Sequence, residues 1–461
     1  MEAEFSKFNI SDSDEYSNSE KINYGNCSYC NKSFTKELWC KECDPIRMIN
    51  GWTSGNNDID KFIKDTIYDR REYGYGFVEW IPFDKFEDIE QIGEGGFAKV
   101  YSATWVDGET RYEKQDDGNW KKEEPKPKKV ALKRLNGSQN MSIEYLNELK
   151  THWEFCKSTT FPLKLFGITK DPETKEFMMN LEYADGGSLR NVLLNYGNSL
   201  LWDVKIRILR WVISNLESLH RIGYLHKDFH SGNILICNGF SRISDFGLSG
   251  PSNKQKSDKK ICGVLPYIAP EILNGEPYTL SSDIYSFGVI MAELSSGKPS
   301  FYKRKHDISL ALDICNGLRP EFGKGTPEFY KKIAHKCMDA NSNQRPTANE
   351  LYDIVGFWFG SLLYTSDDEY QEKEKFGYKG KDIKAIFEEA DKEIPNISTS
   401  YEKDPDAIYS SRVFTFNNLT TPVNSSIIAP YLGGNQDSKL IDLEISNSFL
   451  DDVNKEISSD N

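Results

Sequence analysis

Apolar positions along this chain change period at definite points, and each change predicts an element. Between Asp58 and Tyr68, Ile59, Phe62, Ile63 and Ile67 fall three and four apart, which predicts a short helix with one buried face. Phe77 to Phe86 reads as extended. The run from Phe86 to Trp105, FEDIEQIGEGGFAKVYSATW, sets a glycine turn between two apolar runs, the pattern of a hairpin. Val106 to Lys129 is dense in charge and holds two prolines, so it is read as a solvated insertion before a strand at Val130–Lys133. Ile143, Leu146 and Leu149 mark a helix; FMMNLEYADGGSL, from Phe177, is a strand running into a loop; SSDIYSFGVIMAEL is an apolar helix. The longest apolar run, Ile354 to Tyr364, is shorter than the ~20 residues of a bilayer span and fits a buried terminal helix. Beyond it the chain turns polar and acidic. One helix is predicted at 381–394, and the remainder has no period, the composition of a disordered tail with short docking motifs. Within it, SSRVFTFNNL around Arg412 carries aromatic anchors suited to a partner.

Composition sharpens this picture. With 461 residues and 38% apolar content, the chain can build one two-lobed unit with material left at both ends. A net charge of −14 argues against broad attraction to nucleic acid or to an anionic membrane. The acidic, Ser-rich start lacks the cationic and apolar regions of a secretory signal, so a cytoplasmic or nuclear setting is expected. In a reducing compartment clustered cysteines bind metal more often than they form disulfides. Cys27 and Cys30 form one CxxC pair and Cys40 and Cys43 another, nine residues on. Two such knuckles complete a closed tetrahedral thiolate shell, which predicts a small ribbon around structural zinc.

The glycine turn has chemistry of its own. Gly93, Gly95 and Gly96 let backbone amides approach a phosphate without interference from Cβ, and Phe97 at the tip can close over it. A dinucleotide-binding turn would be followed directly by a helix. Here a strand, KVYSATW, follows. On the next strand Lys133 supplies an ammonium able to neutralise phosphate oxygens, and in a closed cleft it requires a carboxylate partner. Glu148 is favoured by its place on the following helix, with Glu144 as the competitor.

Further on stand His226-Lys227-Asp228-Phe229-His230-Ser231-Gly232-Asn233, then Asp245-Phe246-Gly247, and Ala269-Pro270-Glu271. In their order and spacing these segments, with the glycine loop and Val130-Ala131-Leu132-Lys133, resemble the eukaryotic protein kinase signature set, and the surrounding wording is similar to the tyrosine-kinase-like branch. The resemblance covers about Phe86 to Gly360. It implies an α+β, bilobal kinase-like fold: a small antiparallel-sheet lobe with one helix and a larger helical lobe. It also implies ATP and magnesium. By that resemblance Asp228 accepts or orients the proton of the attacking hydroxyl, Lys133 and Glu148 pair at the phosphates, and Asn233 and Asp245 hold magnesium. Ile92, Gly93, Glu94, Gly95, Gly96, Phe97 and Ala98 would cover the nucleotide, with Val100, Ala131 and Leu235 as adenine walls. Leu181 would guard the back pocket, and Glu182 to Ala184 would form the hinge. Asp283 would support the catalytic-loop backbone, and Arg345 would pair with Glu271.

The sequence also departs from that set. Lys227 replaces the usual arginine, so a phosphate on the activation loop would lose a bidentate fork. His230 and Val264 replace the lysine and threonine usual in Ser/Thr kinases, leaving the choice of hydroxyl open, with Ser/Thr favoured by branch. The resulting organisation is an acidic disordered start (1–20), the four-cysteine ribbon (21–50), a connector (51–85), a kinase domain (86–361) and a largely disordered tail (362–461). The leading hypothesis is an ATP-dependent protein kinase acting on protein substrates, with a protein partner at the ribbon or tail. A pseudokinase scaffold is the alternative, although none of the base, lysine or magnesium positions is lost. A nucleic-acid-reading ribbon finds little support in its modest Lys/Arg content.

Overall fold

A computed structural model of the chain describes residues 25–26, 31–33, 52–73, 77–95, 98–109, 112–114, 120–122, 126–139, 143–197, 199–254, 261–364, 368–397, 402–416 and 419–425. The four cysteines of the predicted ribbon, together with Gly96 and Phe97, lie outside the described residues, as do the start (1–20) and the last residues (426–461). Beside the first cysteine pair, Asn26 and Ser33 form an antiparallel bridge.

The small lobe begins earlier than expected. Helix α1 (Asn57–Tyr73) is capped by the Asn56 side chain, whose Oδ1 accepts the backbone N–H groups of Asp58 and Ile59 at 2.9 and 3.1 Å. Its stripe of Ile59, Phe62, Ile63 and Ile67 is buried in one cluster with Leu149, Trp153 and Phe177. The segment read as a connector is therefore part of the core. It also donates β1 (Glu79–Trp80), which lies parallel to the strand formed by Leu165–Lys170.

The remaining strands are β2 (Phe86–Glu94), β3 (Ala98–Trp105), β6 (Lys128–Leu135), β7 (Leu165–Lys170) and β8 (Phe177–Glu182), in a six-stranded sheet ordered β1-β7-β8-β6-β3-β2. Pairings other than β1 with β7 are antiparallel. Within the charged insertion β4 (Tyr112–Lys114) and β5 (Trp120–Lys122) pair as a ribbon separate from the sheet. Helix α2 (Ile143–Ser158) packs beside this sheet and carries Glu148.

The larger lobe is helical. Helices α3 (Leu189–Tyr196) and α4 (Trp202–Arg221) precede β9 (Tyr224–Leu225) and the hairpin β10 (Ile234–Cys237) and β11 (Phe240–Ile243). Then come β12 (Gly250–Pro251), which pairs with β9, β13 (Ile261–Gly263), and the helices α5 (Pro270–Leu273), α6 (Leu280–Ser296), α7 (Ile308–Cys315), α8 (Glu328–Cys337) and α9 (Ala348–Leu363). Helix α6 is buried nearly all round, as expected of a helix at the centre of a lobe. A Cβ on its Gly288 would stand 2.7 Å from Met338 and 2.8 Å from Cys337, so only glycine admits α8 so close.

The carboxyl-terminal side differs most from the sequence reading. After α10 (Asp368–Glu372) and the ribbon of β14 (Glu374–Lys375) and β15 (Tyr378–Lys379), helix α11 (Gly380–Asp391) buries Ile383, Phe387 and Ala390. Phe387 meets Trp202 at 5.4 Å and Phe329 at 5.2 Å between ring centroids. Residues 402–425, where described, run extended along the larger lobe, and β16 (Arg412–Phe414) pairs antiparallel with β13. An extended segment that takes its hydrogen bonds from another strand's edge needs no periodicity of its own, so the sequence showed of it only the aromatic anchors of SSRVFTFNNL.

Candidate active site

Three elements converge on Lys133. It sits on β6, buried, and its Nζ donates to Glu148 Oε1 at 2.5 Å and to Asp245 Oδ1 at 3.0 Å. Burial alone would lower the lysine's affinity for its proton, but the carboxylates of Asp245 and Glu148 reverse this and hold it charged. Desolvation works against the Asp245 charge too, and Lys133 outweighs it, leaving that carboxyl below its ordinary range. The Asp245 side chain is 44% exposed, so it remains open to the cleft. Its backbone takes φ +66°, in the left-handed region, which Asp tolerates better than most residues.

The second cluster surrounds Asp228. Asn233 Nδ2 donates to the Asp228 carbonyl at 2.9 Å, which commits the amide nitrogen and leaves its oxygen to face away. His226 is buried, with Nε2 facing the Ser244 carbonyl at 3.0 Å. Asp283, from α6, accepts the backbone N–H groups of His226 and Lys227 at 2.8 and 2.9 Å and faces His220 Nε2 at 3.1 Å. These bonds clamp a strained turn, since Lys227 has φ +67°.

His230 stands directly beside Asp228. Its Nδ1 accepts the Gly232 N–H at 3.0 Å and faces Arg190 Nη2 at 3.3 Å, so in the neutral ring the proton belongs on Nε2. That nitrogen lies 3.5 Å from Asp228 Oδ1. Burial pushes the Asp228 carboxyl up, but His230, the Ser411 hydroxyl and His226 together bring it down to about 2. It is a carboxylate at neutral pH.

The described residues among the predicted nucleotide positions lie on or beside β2, β3, β6, β8 and β10. Val100 on β3 is paired with Lys133, and Ala131 with Leu181 on β8. Val100, Ala131 and Leu235 are half-buried, Leu181 and Ala98 are buried, and Ile92, Glu94 and Gly95 are exposed or nearly so on the loop above. A Cβ on Gly93 would meet Val100 only at ordinary contact distance, whereas one on Gly186, beneath the hinge, would strike Ile236 at 2.8 Å. The Glu182 side chain is bonded to Arg242, and its backbone N–H is held by the Lys164 carbonyl at 2.9 Å. Ala184 follows at the strand's exit, its carbonyl accepting the Gly187 N–H at 3.1 Å.

Asn233 and Asp245 present a neutral amide oxygen and a carboxylate, hard oxygen donors that suit magnesium. Among the described residues no group of three or more His, Cys, Asp or Glu is arranged to hold a metal ion.

Sequence reasoning did not find Arg190, Tyr267 or Ser411. Arg190 Nη1 donates to the Tyr409 carbonyl at 2.6 Å, and Nη2 reaches Tyr267 Oη at 3.4 Å. Tyr267 faces Ser231 Oγ at 2.9 Å and donates to Glu293 at 2.7 Å. Ser411 Oγ donates to Asp228 Oδ2. No local motif links these residues, and only the folded chain brings them together.

The family model of protein tyrosine and serine/threonine kinases matches residues 86–355. A probable serine/threonine-protein kinase of Dictyostelium discoideum is 27% identical over 303 residues, which is 62% of this chain and 16% of that protein. A G-type lectin S-receptor-like serine/threonine-protein kinase of Arabidopsis thaliana is 27% identical over 311 residues, covering 60% of this chain and 33% of its own length. The chain thus spans about a sixth to a third of these curated relatives. No helix among the described residues is long and apolar enough to cross a membrane. With the family model matching more than half its length over the two lobes and the cleft between them, the chain belongs to the protein kinase family.

Proposed function

We propose that the chain is a magnesium- and ATP-dependent protein kinase that transfers the γ-phosphoryl group to a serine or threonine hydroxyl. The observation that carries this reading is Lys133 bonded at once to Glu148 and Asp245, which ties the sheet, α2 and the Asp-Phe-Gly segment around one cleft. Lys133 offers its charge to phosphate oxygens as nucleotide enters, while Glu148 keeps the ammonium in place. Asp228 aligns the acceptor hydroxyl and takes its proton as the new bond forms. The Nε2–H of His230 contributes a positive edge beside Asp228, where Ser/Thr kinases usually carry a lysine. Magnesium, held by Asn233 and Asp245, would neutralise charge on the transferring phosphate. Positioning and charge neutralisation supply the rate.

Radiolabel transfer from ATP to casein, in wild type and Asp228→Asn, tests the reading. Transfer confined to the wild type supports it. Nucleotide binding without transfer in either protein replaces it with a scaffold that only binds nucleotide. We also assign structural zinc to Cys27, Cys30, Cys40 and Cys43, supported by their paired spacing and by the Asn26–Ser33 bridge beside the first pair. Elemental analysis of the full chain should return about one zinc per molecule, and a metal-free chain would remove that assignment.

A further inference from the structure

We propose that Ser411 is a self-phosphorylation site, delivered to Asp228 by the chain's own carboxyl-terminal segment, which fills the acceptor channel as a tethered substrate. The inference rests on the phosphoryl-transfer reading above and names the acceptor. The Ser411 hydroxyl donates to Asp228 Oδ2 and lies 3.5 Å from His230 Nε2. This is the hydrogen-bond reach a base needs to the proton it removes.

The flanks hold the serine from both sides. After it, Arg412, Val413 and Phe414 pair with Gly263, Cys262 and Ile261, so the segment continues β13 as an antiparallel strand. The Arg412 guanidinium reaches the His306 carbonyl. Before it, the Tyr409 carbonyl accepts from Arg190, its hydroxyl donates to the Ser300 carbonyl at 2.9 Å, and its ring meets His306 edge-on at 4.8 Å. His306 also receives the segment's backbone, with its N–H on the Asp406 carbonyl at 3.1 Å and Nδ1 on the Ile408 carbonyl at 2.9 Å. Ala407 is wholly buried. Ser410, the neighbouring hydroxyl, is exposed.

The step balances without a further reactant besides ATP. Ser411 Oγ forms a bond to the γ-phosphorus, the bond from that phosphorus to the β–γ bridging oxygen breaks, ADP leaves, and the serine proton passes to Asp228 and then to water. The product is a phosphate of about −2 charge beside the Asp228 carboxylate. Repulsion then expels the segment and frees the β13 edge for a protein substrate. The same geometry specifies acceptors: a serine preceded by a tyrosine two residues before it and followed by arginine and then, three residues after it, phenylalanine.

The test uses the full chain with magnesium and ATP, site-resolved mass spectrometry, and casein as a separate acceptor. Wild type should gain about one phosphate at Ser411, at a rate per molecule unchanged over a roughly ten-fold range of protein concentration, since the acceptor is tethered. Ser411→Ala should lose that phosphate, and Ser410→Ala should keep it. Casein labelled with Ser411 unlabelled overturns this inference and leaves the kinase reading standing. No phosphate on either acceptor overturns both. A Ser411 rate that rises in proportion to protein concentration overturns the tethered delivery.

Discussion

Arg345 is the residue that ties Glu271 to the core of the larger lobe. Its guanidinium grips Glu271 through two parallel bonds of 2.7 and 2.6 Å, and it also donates to the carbonyls of Ser281 and Asp339, each at 2.8 Å. The Arg345 side chain is fully buried. Removing it would strand the Glu271 carboxylate, a loss of about 3–5 kcal/mol for a buried pair. Arg345→Ala should therefore lower the thermal midpoint strongly while nucleotide affinity, measured on the protein still folded, stays near that of the wild type; an unshifted midpoint would refute the pairing's importance. Arg345, Glu271, Lys133, Asp228, Asn233 and Asp245 were legible in the sequence because each belongs to a short run whose wording survives without its partner. Arg190 was not. Its partners stand 40, 77 and 219 positions away, and nothing in SLRNV hints at them.

Among the elements, α1 shows what a periodic stripe can and cannot say. Ile59, Phe62, Ile63 and Ile67 announce a buried face, but the period does not name the surface that covers it. That surface is the outer side of α2 and the sheet, at Leu149, Trp153 and Phe177. Trp52 adds a stacked contact on Trp80, at 6.3 Å between ring centroids. Because α2 carries Glu148, α1 braces the helix that positions the Lys133 pair. Phe62→Ala should cost about 3–5 kcal/mol in urea unfolding, as for a truncated core aromatic. The exposed Lys61→Ala should stay within about 0.5 kcal/mol. Equal midpoints for the two variants would mean that α1 contributes no packing energy. The strand β16 illustrates the opposite case, a real element with no stripe at all, because three residues on an existing edge suffice.

For the whole molecule, pH acts through buried imidazoles. Burial lowers His152 from its ordinary value to about 4, and Lys133 adds to this against the Leu163 carbonyl that Nε2 faces at 2.7 Å. His335 is likewise lowered to about 4 by burial, with Arg319 and Lys331 nearby. In the unfolded chain such a group binds its proton as pH falls through about 6.5; in the folded chain it stays neutral until about 4. The unfolded state thus holds more protons in that window, so stability present above pH 6.5 is lost as pH falls toward 4. His152 alone accounts for a loss on the order of 2–3 kcal/mol. Urea midpoints between these limits should fall less steeply for His152→Gln than for the wild type, and parallel curves would contradict the assignment.

The packing of α1 also moves the practical edge of the kinase-family domain. A fragment cut at Phe86, where the family match begins, would leave Leu149, Trp153 and Phe177 facing water without Ile59, Phe62 and Ile63 over them. An apolar patch of that kind invites self-association. Recombinant work on the isolated kinase-family domain should therefore start ahead of Trp52, so that the fragment carries its own cover and clumping is not mistaken for an intrinsic property of the protein.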